Sequence, residues 1–361
     1  MGNYPDKVKA VRCHEIDDLR IDTIGVPELK SDEILVKNMC GGICGTDRHA
    51  WHHGQFIDKD GPNYPAILGH ECSSKVIEIG KDVKSDAVGD PIEEGDMVIY
   101  QDILGCGKCV FCRAGNPNVC PNMLVAAQKP GVFVQYYTYP SRLFVKVENI
   151  TPVQGAFVEP ASVALHGIRR TGIDGGDTVL IIGAGPIGLF RVQHARNLGA
   201  EKVIVSEPEG FNRKLAKNLG ADIVIDPIEE NVVQRVKDET DGYGADVVFE
   251  DVGTPELQLV AIDAVRPHGT VWITGISTTP VSINFTDKVM LYEVTIRGSN
   301  GYSTWHEKIH DNQVVANMMK TGRLKTEPLI SGEYSIEEGL EAFEVSDDPK
   351  NNIKVILKLT P

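Results

Sequence analysis

Four cysteines stand close together in this chain, at Cys106, Cys109, Cys112 and Cys120. Four thiolates at such short spacing can close a tetrahedron around Zn²⁺, and the glycines between them allow the tight curvature that this needs. A site closed by four sulfur atoms has no open coordination position, so its role is structural. A disulfide pair or an iron–sulfur cluster is the alternative, which the absence of other redox motifs disfavours.

A second group of metal-ligating residues precedes this loop. Cys44 lies in a glycine-rich segment, and His70 and Glu71 follow Gly69. Thiolate, imidazole and carboxylate groups all bind Zn²⁺. Taken singly, Cys44 or His70 is more often a structural residue. Flanked by glycines and upstream of a nucleotide-binding fold, the two indicate an open metal site.

A glycine-rich turn between two apolar segments is the third chemically informative stretch. It consists of Gly183, Ala184, Gly185, Pro186, Ile187 and Gly188. In such a turn the first glycine permits the bend, the second lets a pyrophosphate approach, and the third lets helix and strand pack closely. The following helix N-terminus favours phosphate. Glu207, nineteen residues after Gly188, ends the next apolar run and could accept hydrogen bonds from a ribose. The stretch predicts dinucleotide binding.

Length and composition limit the remaining possibilities. A chain of 361 residues exceeds what one hydrophobic core usually supports, so two domains are expected. The net charge of -15 argues against nucleic-acid binding, which needs a concentrated basic surface. The sequence has neither an apolar run of membrane-spanning length nor a signal-peptide core, so we expect no membrane partner and a cytoplasmic location. All eight cysteines lie in the first third, which in a cytosolic chain indicates metal rather than disulfides.

The elements around these motifs fall into two classes. Residues 9–13 and 33–40 alternate in polarity like half-buried antiparallel strands and open a β-rich domain. The second half alternates apolar strands with helical runs, which predicts a doubly wound parallel sheet and an α/β fold. The predicted strands are 245–249, 269–274 and 294–296, and the helices are 210–219, 229–239 and 255–265.

Taken together, the motifs resemble those of the zinc-dependent medium-chain alcohol dehydrogenases, and most closely the sorbitol (polyol) and L-threonine dehydrogenase branch. The resemblance rests on GICGTD at 42–47, HAWHHG at 49–54, GHE at 69–71, the four-cysteine loop, EPASVALH at 159–166, GAGPIG at 183–188, RPHG at 266–269 and Thr304-Trp305. It implies a GroES-like catalytic domain at 1–158 and 301–361, with a structural-zinc lobe at about 100–122. It also implies a Rossmann domain at 159–300.

The resemblance also implies roles for residues of the catalytic site. Cys44, His70 and either Glu71 or Glu159 would bind a catalytic zinc, giving two zinc ions per chain. Thr46 and His49 would relay the proton, although His49 could instead be a hydrated surface histidine.

Further residues are implied at the cofactor. The resemblance places Val252, Gly275, Ile276, Ser299 and Asn300 along the nicotinamide. Lys354 would reach the pyrophosphate or, alternatively, face solvent. Glu207 favours NAD⁺ because it repels a 2′-phosphate. Arg213 beside such a phosphate would instead allow NADP⁺.

The implied reaction is NAD(P)-linked oxidation of a secondary alcohol to a ketone, in which zinc lowers the pKa of the hydroxyl, a relay removes its proton and the alkoxide delivers hydride. A polyol or sugar-like diol is the expected substrate, with Trp51 and His52 or His53 facing its hydroxyl groups; those histidines could equally be surface residues. L-threonine and 2,3-butanediol are the alternatives, and a non-enzymatic family member is a remote one. By resemblance we also expect a homo-oligomer, a tetramer, with the strand from Val294 as a possible pairing edge.

Overall fold

The computed structural model describes residues 4–54, 64–123, 125–126, 131–305, 309–348, 350 and 352–361. The chain divides into two compact units. Unit 1 comprises Met1–Glu159 and Ser303–Pro361, and unit 2 comprises Pro160–Tyr302. Nowhere in the described ranges is there a helix of the length and apolarity that crossing a bilayer requires.

The N-terminal part of unit 1 is built mainly from antiparallel strands. They are β1 (Lys7–Glu15), β2 (Asp18–Gly25), β3 (Glu33–Gly42), β4 (Ala66–Ile67), β5 (Glu71–Ile79), β6 (Met97–Tyr100), β7 (Ile103–Leu104), β8 (Val125–Ala126), β9 (Tyr136–Pro140) and β10 (Phe144–Lys146). Three helices interrupt them, α1 (Gly45–His53), α2 (Val110–Arg113) and α3 (Pro152–Ala156). The strands predicted at 9–13 and 33–40 are confirmed: they are the central part of β1 and all but the last two residues of β3.

Unit 2 alternates helices with parallel strands. Its strands are β11 (Thr178–Ile182), β12 (Lys202–Ser206), β13 (Ile223–Ile225), β14 (Ala245–Glu250), β15 (Val265–Ile273) and β16 (Thr295–Gly298). The helices are α4 (Val158–Thr171), whose first two residues belong to unit 1, α5 (Pro186–Asn197), α6 (Gly210–Leu219), α7 (Val232–Asp238) and α8 (Pro255–Ala264). The strand order is β13-β12-β11-β14-β15-β16: from β11 the sheet is extended first on one side, by β12 and β13, and then on the other, by β14 to β16. The predicted doubly wound sheet is thus confirmed.

The C-terminal segment completes unit 1. It contains β17 (Thr304–Trp305), β18 (Ile309–His310), α9 (Asp311–Lys320), β19 (Ile330–Ser335), α10 (Gly339–Asp347) and β20 (Lys354–Lys358). Strand β20 enters the main sheet, whose order is β10-β6-β5-β3-β20-β19 with β9 also paired to β3. Short 3₁₀ turns lie at Pro117–Val119, Ser141–Leu143, Glu327–Leu329 and Ile336–Glu338, and a π turn at Thr286–Met290.

Each unit has its own apolar core. Phe133, Phe144 and Phe343 are fully buried in unit 1, and the apolar positions of β11, β12 and β14 form the core of unit 2. Strands buried on both faces are expected to be nearly continuous in apolar residues, as Val179–Ile182 and Val203–Val205 are. These rigid sheets position the loops that carry the chemistry.

Candidate active site and metal centres

The register of three strands in unit 1 brings the candidate catalytic residues together. Gly42, at the end of β3, pairs with Glu71 at the start of β5 and with Ile356 on β20. Cys44 follows the end of β3, and His70 immediately precedes β5. As a result, a thiol, an imidazole and two further charged groups meet at one edge of a buried sheet.

Cys44, His70 and Glu71 form one compact donor set. Their ligand atoms all lie within 4.8 Å of one another. Cys44 is the N-cap residue of α1, and its backbone N–H donates to Asp47 Oδ2 at 2.8 Å. The other carboxylate oxygen of Asp47 lies 3.3 Å from His70 Nδ1. An imidazole held by a carboxylate in this way presents its other nitrogen in a fixed direction, which suits a metal ligand.

The negative charge of Asp47 favours a positive charge at or beside the His70 ring. Burial of the ring lowers the pKa of His70, but the buried carboxylate of Asp47 raises it and outweighs this effect. The resulting pKa lies well above the ordinary value. Asp47 was not predicted from the sequence as a site residue. The sequence signal for Asp47 was its position three residues after the N-cap, where an acidic side chain can accept the backbone N–H of the N-cap residue.

Glu71 is held by Lys354 in a buried ion pair. The Nζ atom of Lys354 lies 2.7 Å from both Oε1 and Oε2 of Glu71 and also donates to the carbonyl oxygen of Ile43 at 3.1 Å. Burial raises the pKa of Glu71, and the lysine charge opposes this shift. The solvent-facing alternative for Lys354 is wrong, and its expected contact with a pyrophosphate stays a prediction. Only 2% of its side chain is exposed, because β20 is a central strand and directs this residue into unit 1.

Glu159 lies beside a carboxylate that the sequence analysis missed. His70, Asp102 and Glu159 are all buried and carry ligand atoms within 4.8 Å of one another. Burial raises the pKa of Glu159 well above its usual value, and the charge of Asp102 adds to the shift. An imidazole and two carboxylates this close form a donor set that suits a divalent cation. The only signal for Asp102 was a polar pair, Gln101-Asp102, between two apolar strands.

The four-cysteine loop forms a second candidate metal centre. The sulfur atoms of Cys106, Cys109, Cys112 and Cys120 all lie within 4.8 Å of one another, and all four residues are free thiols. The Sγ atom of Cys109 is 3.5 Å from that of Cys112 and 3.7 Å from that of Cys120. Backbone N–H groups of residues 108 and 109 lower the pKa of the Cys106 thiol to about 6. Thiolates gathered in this way fit a closed tetrahedral Zn²⁺ site, and the disulfide alternative is wrong.

The two relay candidates lie on α1. Thr46 Oγ1 is 3.8 Å from Cys44 Sγ, which places it beside the first donor set. His49 is exposed and its ring lies 5.8 Å from that of His53. Partial burial lowers the pKa of His49, and the charges of His53 and Arg48 lower it further.

Trp51 and His52, the residues expected to face substrate hydroxyl groups, both contact other protein groups. His52 Nδ1 lies 2.5 Å from Asp17 Oδ1, and its Nε2 lies 3.3 Å from Asp347 Oδ2. Trp51 stacks on His52 and packs edge-on against Phe343 of the unit 1 core. The carboxylates and the core thus occupy the groups that were expected to face substrate hydroxyls. His53 is exposed.

In unit 2, the glycine turn has the geometry of a phosphate cradle. Gly183 has φ +99°, in the left-handed region that favours glycine, and a Cβ on Gly188 would lie 2.0 Å from the carbonyl oxygen of Gly183. A Cβ on Gly185 would meet nothing within 4 Å, so the turn is open where a pyrophosphate would approach. Helix α5 begins directly afterwards at Pro186, followed by Ile187. The turn therefore fits a dinucleotide.

Glu207 closes the same turn from the end of β12. Its Oε2 accepts the N–H of Ala184 at 2.7 Å, and its Oε1 accepts the N–H of Glu209 at 2.9 Å. Arg213, the alternative phosphate ligand, donates instead to the backbone carbonyl of Glu207 and pairs with Asp226.

The loops after β14 and β15 are packed against each other. The carboxylate of Glu250 accepts the N–H groups of Val252 and Gly253. A Cβ on Gly275 would lie 2.1 Å from the nitrogen of Gly253, so only glycine permits this approach. Val252 and Ile276 expose 47% and 58% of their apolar side chains here. Ser299 and Asn300 follow β16, and the N–H of Ser299 donates to the carbonyl of residue 273.

Comparison with known proteins decides the family. Residues 30–149 match the model of the alcohol dehydrogenase GroES-like domain, and residues 186–319 match that of the zinc-binding dehydrogenases. The chain belongs to the zinc-dependent medium-chain alcohol dehydrogenases. This membership confirms the resemblance, the GroES-like and Rossmann fold, and the expectation of an oxidoreductase that uses zinc and NAD(P).

Relatives of this alcohol dehydrogenase differ in the substrate that their names state. An L-threonine 3-dehydrogenase of Pyrococcus horikoshii is 35% identical over 93% of this chain and 94% of its own length. A sorbitol dehydrogenase of Bacillus subtilis is 31% identical, with 98% of each chain covered. A Sinorhizobium meliloti 1021 protein solved with bound NADP is 31% identical, with a TM-score of 0.85 and coverage of 98% of this chain and 100% of its own.

Proposed function

We propose that this alcohol dehydrogenase oxidises a secondary hydroxyl group of a small polyol or sugar-like vicinal diol to a ketone, with NAD⁺ as the acceptor. The observation that supports the proposal is the buried carboxylate of Asp102, which lies beside the proposed zinc ligands His70 and Glu159. Carboxylates accept hydrogen bonds from neighbouring hydroxyl groups. A site that satisfies such groups discriminates strongly against analogues that lack them.

Cys44, His70 and Glu159 are the proposed ligands of the catalytic zinc. Glu71 is assigned a supporting role because both of its oxygens are bonded to Lys354. When bound, zinc acts as a Lewis acid that lowers the pKa of a hydroxyl group and polarises a carbonyl group. The four-cysteine loop would hold the second, structural zinc.

The chain's own residues supply orientation and proton transfer. Asp47 fixes the ring of His70. Thr46 receives the hydroxyl proton, and His49 passes it to solvent. Because its pKa is lowered, His49 is neutral near pH 7 and able to accept a proton.

In unit 2, the glycine turn and the N-terminus of α5 are proposed to hold the pyrophosphate. Glu207 would bind the adenosine ribose, which favours NAD⁺ over NADP⁺. Val252, Gly275 and Ile276, with Ser299 and Asn300, are the proposed lining of the nicotinamide site.

A rate panel tests the substrate. NADH formation would be measured with polyols, aldoses, 2,3-butanediol, L-threonine and simple primary alcohols, and the highest kcat/KM is expected with a polyol or vicinal diol. L-threonine is the second candidate, since a relative 35% identical carries that activity in its name. A clear preference for L-threonine or for a primary alcohol would overturn the polyol proposal.

We further propose a cytoplasmic homo-oligomer, a tetramer by analogy with the polyol and threonine branch. Strand β16 ends the unit 2 sheet, and all four of its residues are exposed. Such an edge offers unpaired backbone groups to a second copy. Sedimentation of a stable monomer would remove this proposal.

A further inference from the structure

Arg213 forms an ion pair with Asp226, which follows β13 in the unit 2 sheet. Its Nη2 lies 2.6 Å from Asp226 Oδ2, and its Nη1 donates to the carbonyl oxygens of Glu207 at 2.7 Å and Pro208 at 2.5 Å. The two side chains are 21% and 24% exposed. The guanidinium is thereby tied to one carboxylate and to the backbone beside the proposed ribose site.

Asp226 is itself firmly placed. It follows β13, which pairs in parallel with β12 so that Ser206 lies opposite Ile225. Its Oδ1 accepts the N–H of Ile228 at 3.0 Å, and its carbonyl oxygen accepts the N–H groups of residues 229 and 230. A carboxylate held by its own loop acts as a fixed anchor for the more flexible arginine.

The charges around the proposed ribose site disfavour a phosphate group on the ribose. Glu207 directly follows β12, Glu209 donates its N–H to that carboxylate, and Asp226 directly follows the neighbouring strand β13. The guanidinium of Arg213 lies among these acidic residues and is paired with Asp226. An arginine that is free to move forms strong bidentate pairs with phosphate groups, whereas one already paired must first give up its partner.

We propose that Asp226 is a cofactor-selectivity residue, which keeps Arg213 from pairing with the 2′-phosphate of NADP⁺ and so reinforces the preference for NAD⁺. The inference rests on the proposed placement of the adenosine ribose at Glu207. Asp226 acts through Arg213 and touches neither the metal ligands nor the glycine turn.

Binding measurements test this inference without any alcohol substrate. Dissociation constants for NADH and NADPH would be measured by nucleotide fluorescence on the full, zinc-loaded chain. Asp226→Asn is expected to tighten NADPH binding about tenfold, because a charge-assisted bond to phosphate becomes available, while NADH affinity stays within about twofold. Adding Arg213→Gln to that variant should cancel the gain.

Two controls separate charge from folding. Asp263→Asn removes a carboxylate that pairs with Lys288 elsewhere in unit 2, and should leave both affinities unchanged. Arg213→Gln alone should not weaken NADPH binding, because the wild-type arginine is already engaged. This variant tests the inference even if Asp226→Asn fails to fold.

The outcomes are distinct. Unchanged NADPH affinity in a folded Asp226→Asn variant, a gain that survives Arg213→Gln, or weaker NADPH binding by Arg213→Gln alone would each overturn the role of Asp226 and leave the proposed function standing. Failure of the wild-type chain to bind either nucleotide would overturn the proposed function, and the role of Asp226 with it.

Discussion

Both carboxylate oxygens of Glu71 lie 2.7 Å from the ammonium nitrogen of Lys354, although the two residues are 283 positions apart in the chain. The pair forms because β20, from the C-terminal segment, enters the sheet beside β3. Both side chains are almost fully buried. The pair thus joins the N-terminal and C-terminal segments of unit 1 next to the proposed catalytic metal.

Lys354→Met should strongly destabilise unit 1. It leaves the Glu71 carboxylate buried without its partner, and breaking a buried pair in this way costs about 3–5 kcal/mol in the free energy of unfolding. Urea denaturation followed by circular dichroism would measure the loss. Combining Lys354→Met with Glu71→Gln should recover much of it.

Lys358→Met is the matched control for that change. Lys358 lies on the same strand and pairs with Glu333, but 53% of its side chain is exposed. Solvent screens an exposed pair, so its removal should cost far less stability than removal of the buried pair. Equal losses for the two lysine variants would show that burial of the Glu71 pair has no special weight.

Zinc content should separate the two glutamates. Glu159→Gln and His70→Ala are each expected to reduce bound zinc from two ions per chain toward one, whereas Glu71→Gln should retain both. Cys106→Ser should remove the other ion and lower stability, because the four-sulfur site is structural. Metal analysis after dialysis checks the set. Retention of zinc by Glu159→Gln together with its loss from Glu71→Gln would reverse the assignment.

The acid limb of the pH–rate profile should belong to His49. Neutral His49 accepts the proton, so kcat/KM falls as the pH drops through its pKa. That pKa is lowered, so the fall occurs below about 6.5, the ordinary histidine value. His49→Asn should abolish the limb and reduce the rate at neutral pH by about 10²-fold or more.

His53→Asn supplies a signed control for the same profile. The charge of His53 lowers the pKa of His49, so its removal should shift the acid limb to higher pH. A profile that keeps its acid limb in His49→Asn would assign the relay to another group.

Arg191 should be a major stabiliser of unit 2. It is fully buried, its Nε lies 2.7 Å from Asp251 Oδ2, and its guanidinium lies 4.2 Å from the centre of the Phe249 ring. Arg191→Met leaves Asp251 buried and unpaired, with an expected loss of about 3–5 kcal/mol. Arg235→Met, which breaks ion pairs at a side chain 37% exposed, should cost about 1 kcal/mol or less in the same urea measurement. A smaller loss at Arg191 than at Arg235 would contradict this view.

Local patterns sufficed for much of the fold and for the ligand types. The glycine turn identified the dinucleotide unit because Gly183, Gly185 and Gly188 each meet a separate steric requirement. Cysteine spacing identified the four-sulfur loop for a similar reason, since all four ligands come from one short segment.

The partners of long-range contacts could not be predicted in this way. A lysine in the strand segment NIKVILKL has no local feature that marks it as the partner of Glu71, because the pairing depends on where β20 joins the sheet. Asp102 was missed because its neighbours, His70 and Glu159, come from distant parts of the sequence. The ion pairs of His52 could not be predicted either, because Asp17 and Asp347 reach it only in the folded chain.

The most direct test of the central claim follows the hydrogen that is transferred. A polyol deuterated at its secondary carbinol carbon would be incubated with NAD⁺ and the zinc-loaded chain, and the nicotinamide and the organic product analysed by mass spectrometry. We predict that the deuterium appears in the reduced nicotinamide and that the product is a ketone. A reduced nicotinamide without deuterium, or an aldehyde product from the terminal carbon, would contradict the account.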